Sequence, residues 1–190
     1  IGLVAERFYD ISDFDNAGNL KEGIPTPSFG SVQPGDVKYS DLDENGVVDQ
    51  NDITQIGKSV YPEWYYSFGG KIGFKGFDLE VLFQGAAGAS VNLLDNWNQT
   101  VAFVNNGNAY EIAKGAWAYY PTEGIDTRAT ARYPRLTTQS NENNYQTSSM
   151  WIKSADYLKL RNLELGYNFN TIKLQKAGIE NLRIYLSGHN

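Results

Sequence analysis

The chain has 190 residues, 41% of them hydrophobic and 14% aromatic, with 13 Tyr, 9 Phe, 4 Trp and no Cys. Without cysteine there is no disulfide scaffold, no thiolate metal site and no thiol nucleophile, and a net charge of −6 argues against nucleic acid as a partner. No run approaches the roughly 18 apolar residues of a membrane helix, which leaves membrane β-barrels open because their strands alternate and keep hydropathy low.

Residues 1–60 are polar and turn-rich and read as loop or short strands. The opening IGLVAERFYD does not have the pattern of a signal peptide. Pro25, Pro27 and Pro34 fall close together, and the acidic run DLDENGVVDQND follows at 41–52. In that run Asp41, Asp43 and Asn45 stand at loop positions 1, 3 and 5, and Gly46 stands at the sharp turn. Val47 offers a carbonyl at position 7, Asp49 stands at position 9, and Asp52 closes the loop at position 12. This is the EF-hand type of calcium spacing, with Asp in place of the final Glu. Ca²⁺ takes six to eight hard oxygens, and alternate side chains of a tight loop converge on one point. Pro34-Gly35 lies just upstream and argues against a full entering helix, so the expectation is an isolated, structural Ca²⁺ loop. The competing reading is a solvated Asp-Asn-Gly turn.

From Trp64 the pattern changes to period two. Trp64, Tyr66, Phe68, Gly70, Ile72 and Phe74 alternate with Tyr65, Ser67, Gly69, Lys71, Gly73 and Lys75. After Gly76 the alternation resumes through Phe77, Leu79, Val81 and Phe83, which predicts a β-hairpin with a very tight Lys75-Gly76 turn. Residues 86–150 are again polar, with scattered aromatics and room for a short helix at 109–119. Alternation returns from Tyr157 to Phe169, but its apolar phase slips from Leu158 and Leu160 to Leu163 and Leu165. A β-bulge near Arg161-Asn162 accounts for the slip. A helical turn at 172–177 is expected next, then a last strand through Leu182, Ile184 and Leu186.

Strands of about ten residues, apolar on one face and charged on the other, suit a transmembrane β-barrel. They also suit an ordinary antiparallel sheet with one face on a core. Four or five strands cannot close a barrel, since the smallest needs about eight. The barrel reading therefore requires that the chain be part of something larger. The alternative is a secreted soluble β-domain with a calcium-stabilised loop that binds carbohydrate.

The run from Pro34 to Gly88, with YPRLT at 133–137, SADYLKLRNLELGYNF at 154–169 and GIENLRIYLSGHN at 178–190, resembles SusC/RagA-type TonB-dependent outer-membrane transporters of Bacteroidetes. The four blocks occur in the family's order and cover nearly the whole chain. The resemblance implies an all-β fold of antiparallel transmembrane strands, part of a barrel of about 22 strands, with long extracellular loops. It implies an importer of glycans or peptides in the bacterial outer membrane. Such an importer works with a SusD-like surface lipoprotein and with TonB, which acts through a plug region not recognisable in these residues. The rest of the same barrel and outer-membrane lipid would be the other neighbours.

In that frame the chain is expected to be a C-terminal barrel fragment divided into four parts. Residues 1–60 form an extracellular region with the calcium-type loop, 61–87 a barrel hairpin, 88–156 a long extracellular loop, and 157–190 two further strands. Lys75-Gly76 and 170–180 are expected as periplasmic turns. Trp97, Trp117, Tyr119, Tyr120 and Trp151 are candidates for ligand contact, since aromatic faces stack on sugar rings. The opposing reading packs them into the loop itself, and Arg132 and Arg135 read as loop anchors. No Ser-His-Asp set is present and the single histidine, His189, stands alone, so no enzymatic activity is expected.

Overall fold

The computed structural model describes residues 1–169, 176 and 178–190. Its first sixty residues form four short strands, β1 (Ala5–Phe8), β2 (Thr26–Pro27), β3 (Val37–Tyr39) and β4 (Val47–Val48). β1 pairs antiparallel with β3, and β2 pairs parallel with β4. The two pairs share one small core in which Leu3, Val37, Tyr39 and Val48 are buried, with Ala5, Phe8, Phe29 and Met150 packed against them. Val48 is the inward member of the Val47-Val48 pair because strand side chains alternate. The acidic loop is thereby fixed to the core through a single apolar side chain.

Two compact units emerge, Ile1–Gly57 with Val91–Lys153, and Lys58–Ser90 with Ser154–Asn190. In the first unit the second polar stretch supplies Trp151, buried with its ring stacked on Tyr133 at 5.8 Å and its indole N–H donating to the Asn144 carbonyl at 2.8 Å. The short helix expected at 109–119 is instead a 3₁₀ stretch, Glu111–Gly115. The chain leaves it extended at Ala116 to bridge Tyr133, and a stretch this short gains little from helix propagation.

The second unit is built on a four-stranded antiparallel sheet. β5 (Trp64–Phe74) and β6 (Phe77–Ala87) form the hairpin, and β7 (Ser90–Asn92) follows at once. The short β8 (Tyr119–Tyr120) and β9 (Ile125–Asp126) form a small hairpin of the first unit, and β10 (Ile152–Ser154) leads to β11 (Tyr157–Phe169) and β12 (Leu182–His189). The strand order is β12-β11-β6-β5. Phe74 pairs with Phe77 across a two-residue turn whose Lys75 and Gly76 both have positive φ, 49° and 91°. That is the type I′ geometry that matches strand twist. The bulge falls where the phase slip placed it: Leu160 pairs with Phe83 and Asn162 with Leu82, leaving Arg161 as the extra residue. The bulge returns Leu158 and Leu160 to the face that carries Leu163 and Leu165. The helical turn expected at 172–177 and most of the connection 170–180 lie outside the described residues.

Candidate functional site

Backbone geometry organises the acidic loop before any ligand is considered. Gly46 has φ 85° and Glu44 φ 58°, and glycine carries the left-handed turn at no steric cost. Asp41 accepts from the Asn45 N–H at 3.2 Å and from the Gly46 N–H at 2.7 Å. Asp43 accepts from the Asn45 N–H at 3.2 Å, the Asn45 amide donates to Asp43 at 3.0 Å, and Asn45 Oδ1 accepts from the Val47 N–H at 2.7 Å. Asp52 is fully buried; its Oδ1 accepts from the Leu42 N–H at 2.6 Å and the Asp43 N–H at 3.4 Å, and its Oδ2 from the Asp49 N–H at 2.8 Å.

Carboxylate oxygens of Asp41, Asp43 and Asp52 lie within 4.8 Å of one another. Asp49 stands apart from this trio, and its side chain caps the 3₁₀ turn Gln50–Asp52. Partial desolvation inside the loop, with Asp41 and Asp52 beside it, pushes the Asp43 carboxyl up from its ordinary value. A carboxylate oxygen that accepts one N–H keeps a second lone pair, so ligating capacity remains on Asp41, on Asp43 and on the Oδ2 of Asp52. An all-oxygen set of this charge fits a hard cation such as Ca²⁺. Val48, next to position 7, is buried in the core.

The five candidate aromatics have unequal surroundings, and Trp151, buried against Tyr133, is closed to a ligand. Trp97 lies edge-on to Tyr145 at 4.9 Å. Trp117 packs so tightly on Gly35 that a Cβ there would come within 2.4 Å of its ring. The Arg128 guanidinium lies 4.0 Å over the Tyr119 ring and forks onto Asp126. Tyr120 is exposed.

A second polar centre was not singled out by sequence. Asp36, fully buried, accepts from Arg135 Nε at 2.7 Å, Asn141 Nδ2 at 3.0 Å, Asn144 Nδ2 at 2.9 Å and the Gln33 N–H at 2.8 Å. Arg135 is thus the loop anchor its sequence context suggested. Asn143 and Asn144 stand in no periodic pattern, and the only local signal is an aspartate directly after the Pro34-Gly35 turn.

The sheet of the second unit has two unlike faces. On one, Phe68, Ile72, Phe74, Phe77, Leu165, Ile184 and Leu186 are exposed, Ile72 at 70% and Leu186 at 78%. The register aligns them in cross-strand rows such as Ile72, Leu79, Leu165 and Leu186. The other face carries an ion network. Arg183 forks onto Asp78 at 3.2 and 2.5 Å and reaches Glu164 at 2.6 Å, and Asn168 donates to Asp78 at 2.9 Å. Lys71 lies 3.7 Å from Asp78 and 3.6 Å from Glu80. Contiguous exposed apolar surface of this extent marks a face that meets lipid or protein.

No family model matches the chain. It is 29% identical over 184 residues to TonB-dependent receptor P3 of Formosa agariphila, covering 96% of this chain and 17% of the receptor. It is 26% identical over 156 residues to TonB-dependent receptor P26 of the same organism, covering 82% of this chain and 15% of that one. The chain thus spans about a sixth of the relatives it matches. Among solved structures it resembles the RagAB peptide importer in the closed-closed state, with a TM-score of 0.58 and 18% identity, covering all of this chain and 18% of that one. It resembles the open-open state with a TM-score of 0.55 and 21% identity, covering 82% of this chain and 17% of that one.

Proposed function

From the homology of this chain to TonB-dependent receptors, we propose that it forms an arc of the wall, and part of the surface loops, of an outer-membrane nutrient importer. One observation carries the reading: a four-stranded antiparallel sheet that exposes an apolar face and keeps its ion pairs on the other. In a barrel wall the apolar face meets lipid and the Asp78–Arg183 face lines the lumen. β5 and β6 have 11 residues each, the length a tilted strand needs to cross a bilayer, about 9–11. Trp64 and Tyr66 at one end, and Phe74, Phe77, Tyr167 and Phe169 at the other, stand where interfacial aromatic girdles belong. An open sheet edge is unstable in hydrocarbon, so the reading calls for further strands beside β5 and β12, in a barrel of about 22.

On this reading the first unit is extracellular and meets a SusD-like surface lipoprotein. Energy comes from TonB through a plug region, and the cargo is a glycan or a peptide. Ca²⁺, held by Asp41, Asp43 and Asp52 with the Asn45 and Val47 oxygens, stiffens the loop that Val48 ties to the core. Its role is structural, and a chelator is expected to lower the protection of residues 41–52 in hydrogen exchange, with readdition of Ca²⁺ restoring it. We assign the chain no catalytic step.

The deciding experiment fractionates cells that make the full-length protein and compares gel mobility with and without boiling. Release from the outer-membrane fraction only by detergent, with a mobility that shifts on heating, is the expected result. Release as a soluble species without detergent overturns the barrel and leaves a soluble β-domain with a calcium-type loop.

A further inference from the structure

The apolar face of the sheet is not uniformly flat. Phe77, Leu165, Tyr167, Phe169, Ile184 and Leu186 line a groove of about 480 Å³ across β6, β11 and β12. By register it follows the strands through three rows. Phe169 with Leu182 is nearest the turn end, then come Phe77, Tyr167 and Ile184, and then Leu165 and Leu186. Its long axis therefore follows the strands, which a barrel wall tilts about 35–45° from the bilayer normal.

The turn end of the groove is polar in a specific way. Lys75, in the hairpin turn, holds its ammonium 5.2 Å from the centre of the Phe74 ring, and Phe74 pairs with Phe77. The tip of the Tyr167 ring lies against the same turn, with Cζ 3.3 Å from where a Cβ on Gly76 would stand. A tyrosine in this position keeps its ring on the apolar surface and its hydroxyl at the wet end. Asp78, Glu164 and Arg183 of the paired strands engage one another on the opposite face. The apolar face thus presents a cation and a phenol hydroxyl at the mouth of a hydrocarbon groove.

We propose that this groove is a binding site for one anionic phospholipid of the leaflet at the turn end. One acyl chain lies between Phe77, Leu165, Tyr167 and Ile184, and the headgroup phosphate sits at Lys75 and the Tyr167 hydroxyl. The inference rests on the reading that this face meets lipid, and it adds a specific occupant with headgroup selectivity. Charge complementarity chooses the occupant, since an acyl chain satisfies the groove and only an anionic headgroup satisfies Lys75.

The test uses the full-length protein in detergent, stripped of native lipid and given palmitoyl-oleoyl phosphatidylglycerol or the matching phosphatidylcholine, with retained lipid counted by native mass spectrometry. Retention of phosphatidylglycerol over phosphatidylcholine by about fivefold is expected, the attraction of one lysine for an anionic lipid. Lys75→Asn keeps the turn, because Asn tolerates positive φ, and it should remove the preference. Leu165→Trp fills the groove from a half-exposed position and should remove retention of both lipids. Equal retention of the two lipids by the unaltered protein overturns the site. So does a preference that survives Lys75→Asn, or retention that survives Leu165→Trp. Release of the protein from cells without detergent would instead refute the membrane reading, which the fractionation detects separately.

Discussion

Asp36 holds much of the first unit's polar core on one carboxylate. Its partners are the neighbouring Gln33 N–H and, from one stretch about a hundred residues on, Arg135, Asn141 and Asn144. Replacing it with alanine leaves the part-exposed Arg135 guanidinium, the half-buried Asn141 amide and the buried Asn144 amide without this acceptor, and an unsatisfied buried polar group costs about 1–3 kcal/mol. Asp36→Ala is therefore expected to strip hydrogen-exchange protection from residues 135–151 while leaving the sheet of the second unit protected. Asp13 gives the same unit a pH dependence. The Arg7 side chain, donating to both its oxygens at 2.6 and 2.7 Å, holds its carboxyl below the ordinary value. A depressed folded value means that the stabilisation is complete above the unfolded value of about 3.9 and is lost as pH falls below it. Protection of residues 5–14 should fall in the wild type below about pH 4, and Arg7→Gln should show that loss already at neutral pH.

At the scale of the element, the hairpin and the bulge are the two devices that make the sheet. A type I′ turn fixes the β5–β6 register, and the extra residue at Arg161 keeps one apolar face continuous along β11. Gly166 has a different task. A Cβ there would lie 2.6 Å from Arg183 Nη2 and 2.8 Å from Asp78 Oδ1. The ion pair between β6 and β12 can cross β11 only because that position has no side chain. Gly166→Ala should displace the guanidinium and lower stability by about 1–3 kcal/mol. The expected readout is a lower temperature for loss of the folded gel band, with Gly70→Ala, where a Cβ meets nothing within 4 Å, as the milder control.

For the whole molecule the question is what covers the apolar face. Ile72 is 70% exposed in the sheet. If water covered it, Ile72→Arg would cost within about 0.5 kcal/mol, as surface substitutions do. Near the middle of a bilayer the same change costs about 2–4 kcal/mol. Ser67→Arg, on the opposite face, should be close to neutral in either setting. Urea titration of the folded protein in lipid vesicles checks both, and a near-zero cost for Ile72→Arg would count against lipid on that face.

The sequence by itself determined the local devices of this protein. Period-two alternation, the Lys75-Gly76 turn and the phase slip at Arg161 each follow from rules that act over a few residues, and the structure contains all three. The spacing of Asp41, Asp43, Asn45, Val47, Asp49 and Asp52 reads as a calcium-type loop; the carboxylates of Asp41, Asp43 and Asp52 come together, whereas Asp49 caps the Gln50–Asp52 turn. Residues 1–60 and 88–156 read as two separate polar regions, and only the tertiary structure joins 1–57 with 91–153 into one unit around Leu3, Val37, Tyr39 and Val48. Their core is assembled from short strands of two to four residues, too brief to carry a periodic signal. The Asp36 hub and the Asp78–Arg183 bridge over Gly166 were equally hidden. Each depends on partners about a hundred residues apart, and such pairing is a property of the folded chain that no local pattern records.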